Sequence, residues 1–484
     1  MSMDAADPKS AGWLSRLGAG LAKSFNEGLD YLAGVEDPDE FERKDAGDGA
    51  DDAEPDETAS ERKALWSQLK GMMGADVMSL LSVPVFIMEP LTTLQKMGEI
   101  MHYCDILDRA CEEEDEHARL ALIATLAIST YSCSERTKKP FNPILGETWE
   151  MALPNVDGHY VAEQVCHHPP IGAGHAETPK WTYDITSAVK TKFMGNWVDI
   201  YPLGRTRIVL KRTNEAFNII TPTTRINNII VGRTWMDSFG ELKVCNLTTG
   251  ASAVIKFKEC GLLGGGRWEV SGEILNAAGE PRMSLRGKWN EKVEVTRPAG
   301  GGTETLWTKL PMPTDDNPYG FTEFTRACNL MSTAPPGLLA SDSRLRPDRV
   351  ALEEGANAEA GAAKHALEEM QRAERRRRDA AGTTWTPRWF VKSSNAELHD
   401  LEKDIGTDVW EIKPEYRESL TRRLAEKNGA GAGAASVDDV AFDPWEFPDT
   451  AKMQVAAASS SSSAAAGPED ATTAGAGSDV VAKE

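Results

Sequence analysis

The 484-residue chain has no apolar run long enough to cross a bilayer as a helix. Its longest, Val77 to Met88, covers twelve residues and contains two serines and a proline. The N-terminus shows no basic segment followed by an apolar one, so no secretory signal is expected. Cysteine is sparse. The seven residues are odd in number, scattered, and free of any C-x-x-C pattern. That excludes a disulfide scaffold and predicts reduced, cytosolic thiols. In that compartment the Asn246-Leu247-Thr248 sequon carries no weight. Gly264-Gly265-Gly266 lacks the Lys-Ser/Thr that would make it a phosphate loop, so a turn between strands suffices. Basic charge is also short: 53 Lys and Arg stand against 75 Asp and Glu, a net charge of −22. A generic nucleic-acid binder is thereby excluded.

The acidity is unevenly spread. Residues 1–60 carry 16 acids against 5 bases, and residues 429–484 carry 9 against 2. The span between them is close to neutral. Residues 36–61 hold thirteen acids and almost nothing apolar, which predicts a disordered linker. The segment 429–484 is Gly/Ala/Ser-rich and reads as a low-complexity tail. Its one aromatic island, Phe442-Asp443-Pro444-Trp445-Glu446-Phe447, bears only a distant likeness to an acidic receptor-docking motif. Near the N-terminus, Leu14, Leu17, Leu21, Phe25, Leu29 and Leu32 follow helical steps over 11–34. Such a weakly charged amphipathic helix suits a lipid interface, a partner, or docking on the domain itself. Five glycines between 12 and 34 weaken it as a free helix.

The middle, 61–428, divides in three. Leu65, Trp66, Leu69, Met72 and Met73 form a first helical stripe, with further helices over Pro90–Tyr103 and Asp115–Ser134. From about 158 to 310, short alternating segments predict strands: 159–165, 181–189, 205–211, 225–231, 241–247, 253–257, 268–275, 284–289 and 304–310. After 348 the composition returns to helix. The expected fold is α+β and predominantly β, built on a large antiparallel sheet or barrel. So many strands leave room for a lumen, which in an acidic soluble chain suggests a carrier for something apolar.

One stretch is far more specific. Glu163-Gln164-Val165-Cys166-His167-His168-Pro169-Pro170 resembles the signature of the oxysterol-binding protein family, E-Q-V-S-H-H-P-P, with Cys166 in place of the serine. Lys139-Pro140-Phe141-Asn142-Pro143-Ile144-Leu145-Gly146-Glu147, Ser343-Arg344-Leu345-Arg346-Pro347-Asp348 and Trp385-Thr386-Pro387-Arg388-Trp389-Phe390 resemble three further family stretches. Lys364, Glu368 and Arg372 match its K-x-x-x-E-x-x-x-R spacing on one helix face. No pleckstrin-homology or ankyrin module is recognisable in the tails.

Read from the residues alone, two imidazoles with Lys139 and Asn142 supply charge and directional donors for phosphate. Adjacent histidines on a strand point to opposite faces, and the prolines are expected to break the ladder and turn both rings toward one mouth. Lys364, Glu368 and Arg372 alone would be an ordinary surface ladder.

The resemblance implies more, beginning with the fold: a large incomplete antiparallel β-barrel enclosing a lipid tunnel, with an N-terminal lid and helices and a C-terminal helical subdomain. Lys139, Asn142, Glu147, His167, His168, Lys364, Glu368 and Arg372 would hold the headgroup of phosphatidylinositol 4-phosphate at a tunnel entrance. Glu147 and Glu368 would position the cations. A sterol would occupy the same tunnel alternately, and the protein would exchange the two lipids between membranes. Residues from about 64 to 86 would form the lid, with the Leu65–Met73 stripe as its cover or as plain core. A histidine beside phosphate is expected to have a raised pKa. Sensing without transport, and phosphatidylserine carriage, remain open alternatives.

No enzyme chemistry, cofactor or metal is implied. A Cys166–His167 thiol pair needs the two side chains to face each other, and adjacent strand positions point apart. Three consecutive ligands at 166–168 rarely close a tetrahedron. The expected location is cytoplasmic, with transient peripheral contact at intracellular membranes. The basic run Arg375-Arg376-Arg377-Arg378 lies near the headgroup residues.

Overall fold

The computed structural model describes residues 62–76 and 84–427, less 64, 68, 134, 262, 263, 298–301 and 394–406. The helix expected at 11–34, the acidic linker 36–61, lid residues 77–83, and the tail 429–484 with its aromatic island lie outside the described residues.

The chain opens on β1 (Met88–Thr92), α1 (Thr93–Gly98), α2 (Asp105–Glu112) and α3 (Glu116–Cys133). Pro90–Tyr103 was expected as one helix. It begins as a strand because Thr92 caps α1, its hydroxyl accepting from the Gln95 N–H and the Gln95 side chain accepting from the Thr92 N–H. After the short β2 (Lys139–Phe141) come β3 (Thr148–Ala152), β4 (His159–His167), β5 (Pro170–Glu177), β6 (Trp181–Phe193), β7 (Trp197–Leu210), β8 (Glu215–Ile220) and β9 (Thr223–Asn227). Then follow β10 (Trp235–Asn246), β11 (Ser252–Phe257), β12 (Glu269–Leu275), β13 (Pro281–Lys288), β14 (Lys292–Thr296) and β15 (Thr303–Thr308). These form one 13-stranded antiparallel sheet running from β3 to β15, with β9 bridging β7 and β10. The two end strands do not pair with each other, so the barrel is incomplete, as expected.

β3, β5, β8 and β14 are absent from the sequence reading. Buried strands such as β5 lack alternation, because Ile171 to Ala176 is buried on both faces. The helix α3 is apolar around its circumference, which requires burial on all sides. It packs against β10–β13 and β15 within the main core.

The C-terminal part adds α4 (Glu323–Ala327), α5 (Pro347–Glu353), α6 (Asn357–Ala381), β16 (Phe390–Lys392), β17 (Trp410–Ile412) and α7 (Pro414–Lys427). The helix expected from 348 is two helices, parted at Gly355, whose φ of 78° only glycine adopts freely. Trp389, Phe390, Trp410 and Tyr416 cover the face of β4–β6 formed by Val161, Val165, Ile171, Ala173 and Ala188.

The N-terminal stripe docks on the far ends of β6 and β7. Leu65, Trp66 and Leu69 are buried against Phe193, Val198 and Ile230, with Met72 half-buried beside them. Met73 is half-buried outside that cluster. Gly74 N–H donates to Phe193 O (2.6 Å) and Phe193 N–H to Ala75 O (3.1 Å), so the segment pairs with the β6 edge. Thr191 donates to Asp76, and Arg62 to Gly232 O at 2.6 Å.

Candidate functional site

Three stretches far apart in sequence meet at one corner. β2 pairs in parallel with β1, and Phe141 packs with Met88, Leu352 and Ala360. Ile144, Leu345 and Leu367 form a second small cluster, with Leu338 and Met370 against it. This apolar contact lays α6 against the 139–147 stretch and brings Lys364 and Glu368 beside Lys139. The turn 144–147 is tied to β4 by Gly146 N–H to Gln164 O and Gln164 N–H to Glu147 O, both 2.9 Å. Gly146 has φ 81°, which the turn requires.

His167 and His168 sit at the β4–β5 hairpin. The prolines do not break the ladder: Pro170 opens β5 directly opposite His167. A bulge does the aiming instead. Gln164 pairs with Gly172 and Cys166 with Ile171, so Val165 is the extra residue. Val165 and Cys166 therefore both pack toward the C-terminal cover, and His167 is turned to the opposite face. Without the bulge His167 would point into Trp389 and its neighbours. The same geometry sets Cys166 and His167 on opposite faces. The two rings stand edge to face, 4.7 Å between centroids. His167 Nδ1 is buried without a hydrogen-bond partner, while His168 is exposed.

The charges around these rings are mostly of one sign. Burial, then Lys364 and Arg346, push the Lys139 ammonium down to about 8, opposed by Glu368. Burial, then His168, Arg375 and Arg346, push His167 down to about 4. His168 is lowered by burial and by Arg375. Burial and mostly cationic neighbours thus lower both imidazoles; the raised pKa expected of a histidine beside phosphate concerns the lipid-bound protein. Cations that depress one another, beside a buried imidazole nitrogen without a hydrogen-bond partner, are an arrangement suited to an anion.

Each sequence-predicted residue has a definite place. Lys139, His167, His168, Lys364 and Glu368 converge. Lys364 donates to Glu368 at 2.6 Å. Asn142 is exposed on the turn, and its carbonyl accepts from Arg346 at 2.9 Å. Arg372 is half-exposed and reaches Glu368 (3.4 Å) and Glu369.

Glu147 is fully buried behind the site, where it accepts from Ser343 (2.6 Å), Arg346 (2.8 Å) and Ile144 N–H (3.0 Å). It holds the Arg346 guanidinium and the turn from behind. Arg346, which also grips Asp348 at 2.8 and 2.9 Å, is the charge that reasoning from the sequence left without a role. Arg375 is the other. Only their places inside the S-R-L-R-P-D stretch and the basic run marked them.

Much of the remaining motif sequence is structural. Glu163 is fully buried and accepts from Arg388 N–H (2.7 Å) and Trp389 N–H (2.8 Å). The first residue of the octet thus pins the W-x-x-R-W-F stretch. Burial raises its carboxyl to about 7 despite both bonds. Arg344 bonds Asp342 at 3.1 Å and lies over the Trp149 ring.

The family model for oxysterol-binding protein matches residues 64–420. The chain belongs to the oxysterol-binding protein family. It is 44% identical over 402 residues to oxysterol-binding protein-related protein 3C of Arabidopsis thaliana, covering 80% of this chain and 85% of that one. Oxysterol-binding protein homolog 2 of Saccharomyces cerevisiae is 35% identical over 360 residues, 69% of this chain and 28% of that larger protein. Among solved structures, the Osh1 ORD domain in complex with cholesterol superposes with a TM-score of 0.66 at 31% identity, covering 83% of this chain and 96% of that one. The Osh3 ORD in complex with PI(4)P from Saccharomyces cerevisiae gives 0.63 at 28%, covering 76% and 94%. The family fold is a lipid-binding one. Among the described residues of this oxysterol-binding family member, no helix is long and apolar enough to cross a membrane.

Proposed function

We propose that this oxysterol-binding family member is a non-vesicular lipid transfer protein. It takes phosphatidylinositol 4-phosphate by its headgroup at the Lys139–His167–Lys364 corner. A sterol occupies the same interior in its place, and the two are exchanged between membranes during brief peripheral contact on the cytoplasmic side. The observation that carries this reading is the convergence of Lys139, His167, His168 and Lys364 from three chain segments onto one corner, with Arg346 and Glu368 beside them. Similar chains solved with a sterol and with PI(4)P support the two ligands. The docked segment 62–76 supplies the lid. Its apolar contacts, burying Trp66 and two leucines, stabilise closure by several kcal/mol at about 25 cal/mol/Å², a scale at which a lid both holds and releases.

The test is a donor-to-acceptor vesicle assay with the full chain. Acceleration of both phosphoinositide and sterol movement, each dependent on the other lipid in the opposing vesicle, is the expected result. Binding of both lipids without any acceleration would reject transfer.

A further inference from the structure

The helix α6 carries more of the headgroup site than the three spaced residues suggest. At about 100° per residue, Arg372 lies about 80° around the helix from Lys364. Arg375, eleven residues on, lies only about 20° from it, between Lys364 and Glu368. Arg375 thus shares their face more closely than Arg372 does. The partners of the two arginines also differ. Arg372 is taken up by Glu368 at 3.4 Å and by Glu369. Arg375 makes no hydrogen bond among the described residues, and its nearest carboxylate, Asp379, is 3.8 Å away. Its side chain is 58% exposed.

We propose that Arg375 is a phosphate-binding residue of the headgroup site, closing with His167 and His168 an outer anion pocket beyond the inner Lys139–Lys364 pair. The inference rests on the phosphoinositide reading above. Arg375 depresses both imidazoles electrostatically, and with its place on the Lys364–Glu368 face this sets its charge beside the hairpin. A ligand with two phosphates, one at each end, would satisfy both groups of cations. A guanidinium is suited to the outer end because it grips phosphate through two donors at once.

The experiment uses the full chain with two probes: vesicles containing phosphatidylinositol 4-phosphate, and soluble inositol 1,4-bisphosphate. R375A is expected to lose tenfold or more in affinity for both probes, and R375K to recover part of it. R376A, on a different face, should match wild type. In the unliganded protein, NMR titration should show His168 ionising at higher pH in R375A than in wild type. Soluble-probe affinity within twofold of wild type in R375A, or an unmoved His168, overturns the assignment. A loss confined to vesicles overturns it too, by moving Arg375 from the pocket to the bilayer surface. The H167A/H168A double variant separates the two readings. If it still binds the soluble probe as wild type does, the headgroup site itself is wrong. If it fails while R375A binds normally, only the role of Arg375 is wrong.

Discussion

Raising the pH should weaken headgroup binding through Lys139 before any other site cation responds. In the unliganded protein this ammonium titrates at about 8 instead of 10.5, first because it is buried and then because Lys364 and Arg346 repel it. A bound phosphate supplies the opposite charge and restores the ordinary value. The pKa is therefore lower without ligand than with it, so binding carries proton uptake above pH 8. Affinity should be flat below that pH and fall by up to tenfold per unit above it, about 1.4 kcal/mol each. With full restoration the loss is roughly tenfold by pH 9 and roughly 80-fold by pH 10. Between pH 8 and 10 the phosphates are fully ionised, and both unliganded imidazoles, already depressed, stay neutral. Calorimetric titration of soluble inositol 1,4-bisphosphate over this range reads the slope directly. K139M should bind roughly ten- to hundredfold more weakly at pH 7.5, the worth of a charge-assisted hydrogen bond, and should show no slope. An equal slope in wild type and K139M would refute the reasoning.

Replacing His167 and His168 with alanine should abolish phosphoinositide extraction while sparing sterol uptake, measured on the same folded preparation; loss of both would contradict separate determinants. E147Q should weaken headgroup binding without touching the ligand, because it loosens Arg346 and the 144–147 turn; unchanged affinity would leave Glu147 a purely global stabiliser. W66A should expose the β6–β7 ends at a cost of about 3–5 kcal/mol to lid docking, seen as faster amide exchange at Gly74 and Phe193 with the barrel unchanged. R136L should destabilise the whole domain by about 3–5 kcal/mol, since it leaves Glu99 buried without its cation and Glu89 with Lys96 alone; a thermal midpoint equal to wild type would refute it.

The net charge of −22 takes on a narrower meaning once it is placed. It is concentrated at the two ends of the chain, whereas the span between them is near neutral. Acidic segments repel an anionic membrane over about 8 Å at physiological salt. Under the proposed function, that favours brief contact.

Sequence by itself determined the class of the fold and the family. Alternating segments over 159–310 marked a large antiparallel sheet, and α3 was legible as a buried apolar helix within a residue or two. Paired histidines with Lys139 and Asn142 suggested phosphate chemistry, because they combine charge with directional donors, whereas the 364–372 spacing did so only through the family resemblance. Local pattern could not decide which way they face. The bulge at Val165, a matter of pairing between β4 and β5, turns His167 away from the C-terminal cover. The Ile144–Leu345–Leu367 contact sets α6 against β2, and it joins residues some 200 positions apart. Burial then sorted carboxylates that look alike in sequence: Glu368 stays with the cations, while Glu147 and Glu163 became internal acceptors that hold the motifs together. Register and burial are properties of chains packed against each other, so only the tertiary structure could assign them.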